Sequence, residues 1–258
     1  MKILAYRYDN DFSFDRILHA LAKTKYNIGY ASGEIKEENI KEFNPDIIIH
    51  NIPDTESFPI KNSAVSININ ETSAKNSFSL KNPNAANYIE PFISIKRNTV
   101  PESDRIRYSS DVMFIGSPTV FGKIINFVNN PQNKILFKFF SRMPHNISGY
   151  CGFCPPEDYY QLYTNAKASL TTEEDRSRIM DIIVSDGNPI VFNGSNEDEC
   201  IEKIKNAVNN NARYEVEGFV KDDILNRHTA FDRASKIFKT VGLNKIADDI
   251  LKEKARNR

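Results

Sequence analysis

Strand-like runs alternate with helix-like stretches along both halves of the sequence, and this alternation limits the chain to few fold classes. In the first half the strongest strand signal is Asp46-Ile47-Ile48-Ile49-His50, a β-branched run typical of a strand buried on both faces. The pattern starts again at Asp111. Strands separated by helices pair in parallel, with the helices as crossover connections. The repeat therefore predicts an α/β protein with two Rossmann-like domains, each built on a parallel sheet.

A segment without helical periodicity separates the two halves. Residues 82–105 contain three prolines. After the second half, residues 224–254 return to a helical pattern with one apolar face. We therefore predict an N-terminal domain over residues 1–97, a second domain over residues 98–223, and C-terminal helices over residues 224–258 that pack across the domains.

The charge balance and the lack of long apolar runs exclude several classes of protein. Lys plus Arg and Asp plus Glu both number 34, so the formal net charge is zero. Such a chain is not expected to coat nucleic acid or an anionic membrane through bulk charge. No run approaches the roughly 18–20 apolar residues that span a bilayer, and the N-terminal stretch turns polar too early for a signal peptide. Three cysteines fit a reducing compartment, so we predict a cytoplasmic protein without a membrane span.

Several nucleotide-binding and catalytic signatures are absent from the sequence. It has no G-x-G-x-x-G, no Walker G-x-x-x-x-G-K-[ST], no H-E-x-x-H and no G-x-S-x-G. With ten glycines in all, a glycine-rich phosphate cradle is not expected. A phosphate would instead be held by a helix N-terminus together with Arg or Lys side chains.

The most informative segment is residues 157–192, which has the order helix, strand, acidic turn, helix, Asp-Gly and Pro-led strand. Glu173 lies in the turn, and Asp181 follows after seven residues inside the next helix. Arg176 and Arg178 lie in or near the first turn of that helix, where the helix dipole attracts anions. The pattern predicts that these arginines and free backbone N–H groups hold a diphosphate. Asp181 would then accept hydrogen bonds from ribose hydroxyls, and Glu173 from a sugar hydroxyl.

Over roughly residues 110–240 the sequence resembles GT-B glycosyltransferases of the group-1 type. Those enzymes carry an E-x7-E pair followed by a Gly-Pro-Val-like strand. Here the pair is Glu173-x7-Asp181, and the strand is Gly187-Asn188-Pro189-Ile190-Val191. Asp181 replaces the usual Glu, and Asp186-Gly187 replaces the frequent Gly-Gly.

The likeness is closer to the spore-maturation-like branch of that group. Three places carry it: the domain-opening run Asp111-Val112-Met113-Phe114-Ile115-Gly116, the helix from Arg178 to Gly187, and the late His228-Thr229-Ala230-Phe231-Asp232-Arg233-Ala234. The N-terminal half matches only in its general pattern.

The resemblance implies a GT-B-like fold, in which two Rossmann-like domains with parallel sheets face a cleft. It implies transfer of a sugar from a nucleoside diphosphate sugar, with a UDP-sugar as the expected donor, to a hydroxyl acceptor. The acceptor stays open among glycans, lipid-linked glycans, proteins and modified nucleic acids. In such enzymes protein groups usually neutralise the leaving diphosphate, so no cofactor and no metal site are expected.

Further residues are expected around the donor. Gly116 forms the turn after the domain-opening strand, and Lys123, soon after it, would add a second positive charge. Gly187 precedes the Pro-led strand. In the layout that the resemblance implies, the loop with Tyr150 and Phe153 lies near the nucleobase, so one of these rings is expected to stack on it.

The general base for the acceptor is expected in the first domain. Open α/β sheets bind ligands at the carboxyl ends of strands, and Asp9, Asp11 and His50 all follow or end strand-like runs. Any of the three can deprotonate a hydroxyl. Asp9-Asn10-Asp11 also has the D-x-D spacing of metal-dependent enzymes, but not in a convincing strand-end position of that type.

Plainer interpretations stay open for these residues. Glu173 and Asp181 can be ordinary solvated acids, with the arginines as their salt-bridge partners. Asp9-Asn10-Asp11 can cap the first helix, and His50 can be a hydrogen-bonded strand-end histidine. The Cys151-Gly152-Phe153-Cys154 motif is favoured as plain loop over a redox or zinc site.

For the whole protein, the rival hypothesis is a non-catalytic module that binds a nucleotide or a sugar on a transferase-like fold. A tandem of flavodoxin-like or response-regulator-like domains is disfavoured, because the phosphate loop and acidic triad are missing. Turnover of a donor would favour the enzyme. Nucleotide binding that survives loss of Glu173, without turnover, would favour the module.

Overall fold

The computed structural model describes residues 1–8, 12–33, 37–53, 64–69, 78–79, 87–90, 92–93, 108–155 and 158–256. The chain divides into two compact units. The first joins Met1–Ile95 to Arg227–Arg258, and the second is Lys96–Asn226. The chain therefore crosses between the units twice, and its last 30 or so residues belong to the first unit. Their expected packing across both domains stays a prediction.

The described elements follow the predicted alternation of strands and helices. In chain order they are β1 (Lys2–Arg7), α1 (Phe12–Ala22), β2 (Asn27–Ser32), α2 (Glu37–Phe43), β3 (Ile47–His50), β4 (Val65–Asn68), β5 (Ser110–Ile115), α3 (Gly122–Val128), β6 (Phe137–Phe140), α4 (Tyr159–Thr164), β7 (Ala166–Thr172), α5 (Arg176–Val184), β8 (Pro189–Phe192), α6 (Glu197–Asn210), α7 (Lys221–Arg227), α8 (Ala230–Thr240) and α9 (Asn244–Arg256).

The first unit has a four-stranded parallel sheet in the order β2-β1-β3-β4. Strand β3 lies inside the sheet, and all four of its residues are buried, as its run of isoleucines predicts. Helix α1 packs its apolar stripe on one face, where Phe14, Ile17 and Leu21 are fully buried. Helices α8 and α9 complete the same core through residues such as Phe238.

Helix α8 begins with a capping box formed by Thr229 and Asp232. The Thr229 side chain accepts a hydrogen bond from the Asp232 N–H, and the Asp232 carboxylate accepts one from the Thr229 N–H. Thr229 also bridges Ile93. Local sequence therefore fixes where the terminal helices start, and their apolar faces place them on the first core.

The second unit repeats the architecture in the order β6-β5-β7-β8, again all parallel. Helices α3 and α6 contribute Ile124, Ile204 and Ala207 to the core on one face. Helices α4 and α5 cover the other face with Leu162, Tyr163 and Ile182. Two parallel four-stranded sheets with surrounding helices confirm the predicted α/β fold.

In each sheet the strand order reverses once, and this reversal marks a position for a ligand. The chain runs from β5 to β6 on one side, then returns to β7 on the other side of β5. Open α/β sheets bind ligands outside the carboxyl ends of the strands at such a reversal. In the second unit, that position lies between the ends of β5 and β7. In the first unit, it lies between β1 and β3.

Candidate functional site

Strand β5 ends in a turn that only glycine enters easily. Gly116 has φ +129°, and its N–H donates to the carbonyl of Phe140 across 2.8 Å, extending the pairing with β6. A Cβ at this position would lie 3.0 Å from the Phe114 ring. The backbone after β5 is thus held close to the sheet, with Ser117 exposed directly after it.

The acidic turn follows the neighbouring strand β7 at the same edge. The Glu173 N–H donates to the carbonyl of Phe192 across 2.9 Å, so Glu173 continues the pairing with β8. The side chains of Glu173 and Glu174 are exposed. The fold therefore brings the predicted Gly116 and Glu173 to the ends of two adjacent strands, at the reversal of strand order.

The N-terminus of α5 is capped by a residue that the sequence analysis did not single out as functional. The Asp175 carboxylate accepts a hydrogen bond from the Arg178 N–H across 3.1 Å and from its Nε across 2.8 Å. Asp175 is thus both the helix cap and the ion-pair partner of Arg178. The sequence signal for it is an acid directly before the first helical residue.

Two tyrosines of α4 hold the other side of the Arg178 guanidinium. Arg178 Nη1 donates to the Tyr163 hydroxyl across 3.3 Å, and the guanidinium lies 5.6 Å from the centre of the Tyr159 ring. Only 20% of the Arg178 side chain is exposed. Arg178 therefore ties α4 to α5, and its positive charge is already shared with Asp175.

Arg176, in contrast, is exposed at the first position of α5. Its guanidinium lies 5.2 Å from the centre of the Phe219 ring, a residue of the segment before α7. Arginine stacks on aromatic rings while its N–H groups stay available for anions. Of the two predicted arginines, Arg176 is the one that the surroundings leave accessible.

Asp181 lies three residues after Arg178 and so on the same side of α5. It is half-buried and makes further interactions. Burial raises the pKa of the Tyr163 hydroxyl, and the Asp181 carboxylate adds to that rise, which places Asp181 in the electrostatic environment of Tyr163. The Tyr163 hydroxyl therefore stays protonated at neutral pH.

Residues 173–181 carry more acidic than basic side chains. Four are acidic, Glu173, Glu174, Asp175 and Asp181, and two are basic, Arg176 and Arg178. Carboxylates accept hydrogen bonds from hydroxyl groups, whereas they repel phosphate oxygens at short range. The edge is thus better supplied with partners for sugar hydroxyls than with partners for a diphosphate.

Lys123 lies in different surroundings from those that the sequence suggested. The Glu197 carboxylate, from the start of α6, accepts a hydrogen bond from the Lys123 N–H across 2.8 Å and thereby caps α3. The Lys123 ammonium lies 3.9 Å from Asp198 Oδ1. The chain's own carboxylate therefore occupies the position near α3 where a phosphate would have to bind, and Glu197 is a residue that sequence reasoning missed.

Tyr150 is part of an aromatic cluster rather than a free stacking platform. Segment 149–152 pairs with the outer edge of β6: the Phe139 N–H donates to Gly149 and the Cys151 N–H donates to Phe139. The Tyr150 ring lies 5.4 Å from that of Phe139 and 5.8 Å from that of His145. Phe153, the other predicted stacking ring, is 50% exposed.

Gly187 lies at the opposite edge of the sheet from Gly116 and Glu173, because it precedes the first residue of β8. This position does not support its predicted place in the donor site, which stays a prediction. The left-handed residue that ends α5 is Asp186, with φ 56°, and Gly187 is needed for space. A Cβ there would lie 2.8 Å from Ile182 Cγ2 and 3.2 Å from Tyr163 Cβ.

His50 is a buried histidine with hydrogen-bonding partners at both ring nitrogens. Nε2 lies 3.0 Å from Ser66 Oγ, and Nδ1 lies 3.4 Å from the Ile52 N–H, which donates to it. Burial lowers the pKa of His50 to about 4. These contacts favour the structural interpretation over a general base. Asp9 and Asp11 lie outside the described residues.

Among the residues that the structure describes, the cysteines and acidic groups form no recognisable metal centre. Cys151 is exposed, Cys154 and Cys200 are buried, and all three are free thiols. In the described ranges, no three His, Cys, Asp or Glu side chains are grouped as they would be around a metal ion. In the same ranges, no helix combines the length and the apolar character that crossing a membrane demands.

No protein-family model matches the sequence, and no curated protein matches it. By structure, the chain is similar to WaaG, a glycosyltransferase involved in lipopolysaccharide biosynthesis, at 11% identity, 97% and 94% coverage of this chain and that one, and a TM-score of 0.46. It is also similar to an alpha1,3-fucosyltransferase with GDP, at 12% identity, 96% and 90% coverage, and a TM-score of 0.42. A third is AviGT4, a glycosyltransferase involved in avilamycin A biosynthesis, at 12% identity, 99% and 97% coverage, and a TM-score of 0.42. Because these TM-scores are below 0.5, the function proposed below rests on the chain's own residues.

Proposed function

We propose that this protein is a glycosyltransferase, which moves a sugar from a nucleoside diphosphate sugar to a hydroxyl group of an acceptor. The observation that carries the proposal is the placement of Gly116 and Glu173 directly after the carboxyl ends of the paired strands β5 and β7, with Arg176 at the start of the following helix. Strand order reverses there, and this is the position at which parallel α/β sheets bind nucleotides. The resemblance of the Glu173-x7-Asp181 segment to group-1 GT-B enzymes points to the same chemistry.

Within this proposal the residues have separate tasks. The exposed Glu173 carboxylate accepts hydrogen bonds from hydroxyls of the transferred sugar, and Asp181 accepts them from the ribose. Arg176 supplies the positive charge that stabilises the leaving diphosphate, which is the electrostatic contribution that usually dominates such a step. Arg178 acts as a positioning residue, since Asp175 and Tyr163 hold its guanidinium.

Metal independence and a UDP-sugar donor remain parts of the proposal. The acidic balance of residues 173–181 makes the metal question worth testing directly, because a divalent cation would relieve repulsion between those carboxylates and a diphosphate. On the acceptor side, Asp9 and Asp11 are the proposed candidates for the general base. His50 is the weaker candidate, because both of its ring nitrogens already have partners.

The test is a thermal-shift panel of UDP-, GDP-, ADP-, dTDP- and CMP-sugars, with and without Mg²⁺, followed by a turnover assay on any nucleotide sugar that binds. A ligand at about 100 times its Kd stabilises the native state by about 2.7 kcal/mol. We expect one donor to raise Tm, and Arg176→Ala and Glu173→Gln to remove most of the shift. Glu174→Gln, one position away and also exposed, is the matched control and should retain it.

A second candidate function is a non-catalytic binding module. It is favoured by one observation: the Asp175 carboxylate already caps α5 and engages Arg178, so little free positive charge remains for a leaving diphosphate. If a nucleotide sugar binds but is neither hydrolysed nor transferred, and Glu173→Gln leaves binding intact, the module is the better description. If nothing in the panel binds, the donor site is refuted.

A further inference from the structure

A groove on the flank of the first unit is not used by the proposed donor site. Its floor is formed by neighbouring strands β1 and β2, whose parallel register sets Ala5 beside Tyr30 and Arg7 beside Ser32. Because side chains alternate along a strand, Tyr30 and Ser32 point to the same face of the sheet as Ile28, which packs on the core. Tyr30 is the next residue after Ile28 on this face of β2, and it is 58% exposed.

Helix α1 forms the wall of this groove. Four of its residues, spaced as one stripe along the helix, line the side that faces β2: Asp15, Leu18, His19 and Ala22. The groove has a volume of about 440 Å³, within the range of about 300–1,000 Å³ that is usual for small-molecule sites. The groove lies on the side of β1 that carries β2, whereas the reversal of strand order lies between β1 and β3.

The ionic groups of the groove cancel each other. Arg7 Nη2 lies 2.8 Å from Asp15 Oδ2, and both side chains are about one-third exposed, at 31% and 35%. An anion would have to compete with Asp15 for Arg7, and a cation with Arg7 for Asp15. Together the two groups nevertheless offer hydrogen-bond donors and acceptors side by side. A neutral ligand with adjacent hydroxyl groups satisfies both without breaking the pair.

Tyr30 adds an aromatic surface beside this pair. A tyrosine hydroxyl is protonated at neutral pH and can donate a hydrogen bond, and burial raises the pKa of Tyr30 further. Tyr30 lines the groove, and its register neighbour on β1 is the small residue Ala5. The C–H face of a pyranose packs on such a ring while its hydroxyls reach polar neighbours.

We propose that the groove between α1 and β2 is a saccharide-binding site for a neutral sugar, with Tyr30 as the stacking residue and Arg7 and Asp15 as hydroxyl partners. This site is separate from the donor site proposed in the second unit. It would hold a sugar of a glycan independently of the reaction, by contacts that depend on hydroxyl groups and not on phosphate.

The absence of tryptophan from the chain gives a direct test. Tyr30→Trp introduces a single indole, whose emission reports on a sugar stacked against it. We expect saturable changes with at least one of a panel of neutral trisaccharides, such as maltotriose, cellotriose and tri-N-acetylchitotriose. Asp15→Ala in the same background should weaken binding at least tenfold. In the wild-type protein, saturation-transfer NMR should detect the same sugar, and Tyr30→Ala should abolish that signal.

Tyr8→Ala is the matched control, because Tyr8 is also exposed, at 42%, and does not line the groove. It should leave sugar binding unchanged. Uridine tests for a nucleoside site, and glucose 6-phosphate tests for a phosphate site. Binding of either one more tightly than the neutral sugars overturns the proposal. So does the lack of a saturable response to every neutral sugar, or a response that Asp15→Ala leaves intact.

Failure of this inference is distinguishable from failure of the donor proposal. The sugar titrations are repeated in the Glu173→Gln background, where donor binding is expected to be lost and groove binding retained. A nucleotide-sugar shift without sugar binding at Tyr30 refutes only the groove, and sugar binding without any nucleotide shift refutes only the donor site.

Discussion

Asp175 binds Arg178 through both the backbone and the side chain of that residue. One carboxylate oxygen accepts the Arg178 N–H at 3.1 Å, and the other accepts Nε at 2.8 Å. The same carboxylate thus starts α5 and orients the guanidinium that reaches Tyr163 on α4. The local order of the candidate site consequently depends on a residue that makes no proposed contact with substrate.

Removal of that carboxylate should destabilise the second unit. We expect Asp175→Ala to lower the free energy of unfolding by about 1–2 kcal/mol, because it removes a helix cap and a partner of a mostly buried arginine. Asp175→Asn, which keeps a capping oxygen, should cost less. Urea denaturation monitored by circular dichroism measures both. Equal losses for the two variants would mean that the cap itself contributes little.

Gly187→Ala should destabilise the fold without touching the proposed donor site. The added Cβ would lie 2.8 Å from Ile182 Cγ2 and 3.0 Å from the Ile182 carbonyl, and such overpacking typically costs about 1–3 kcal/mol. Gly194→Ala is a useful comparison, since its Cβ would meet nothing within 4 Å and its cost comes only from φ +90°. We expect Gly187→Ala to have a lower Tm than the wild-type protein and to leave the Kd for the donor unchanged. A specific loss of donor affinity would restore Gly187 to the site.

His50 should make the stability of the first unit depend on pH below neutrality. Burial lowers its pKa to about 4, from an ordinary value of about 6.5. As pH falls, the unfolded state therefore binds the proton before the folded state does. The contribution of neutral His50 to the free energy of unfolding is fully present above pH ~6.5 and is lost progressively towards pH ~4. The expected slope is at most about 1.4 kcal/mol per pH unit.

His50→Gln is the comparison for that pH dependence, because glutamine keeps a donor for Ser66 and does not titrate. Urea unfolding at several pH values between 7.5 and 4.5 should give a shallower decline for this variant than for the wild type. Parallel declines would mean that His50 does not supply the dependence.

Lys254 should contribute to stability although it is a lysine near the end of the chain. Its ammonium lies 2.5 and 2.6 Å from the two carboxylate oxygens of Asp232, and the side chains are only 8% and 17% exposed. Lys254→Met leaves that partly buried carboxylate with its Thr229 hydrogen bonds but without the lysine cation, and we expect a loss of about 1–3 kcal/mol.

Lys252→Met in the same helix is the matched control. Lys252 is 68% exposed, with its ammonium 3.1 Å from Asp249, and exposed pairs contribute about 1 kcal/mol or less. Chemical denaturation of both variants gives the comparison. If Lys252→Met is as destabilising as Lys254→Met, burial of the Asp232 pair is not the cause.

Features that depend on neighbours in the chain were accessible from the sequence alone. The isoleucine run of β3 predicts a doubly buried strand, and all four residues of β3 are buried. The segment from Glu173 to Gly187 likewise predicts an acidic turn followed by a helix from about Arg176 to Val184, and α5 has these bounds. Strand and helix periods are local properties, so the order of elements and the α/β class follow from them.

Features that depend on distant parts of the chain were decided only by the tertiary structure. Pairing of β5 with β7 brings Gly116 to the same edge as Glu173, while the parallel direction of β8 puts Gly187 at the other edge. Glu197 accepts a hydrogen bond from the N–H of Lys123, 74 positions away in the sequence. Tyr163 on α4 accepts one from Arg178 on α5. Local periodicity carries no information about which strands pair or which helices touch, because long-range packing selects those contacts. The sequence thus determined the secondary structure and the candidate residues, whereas strand order and side-chain packing decided which of them lie together.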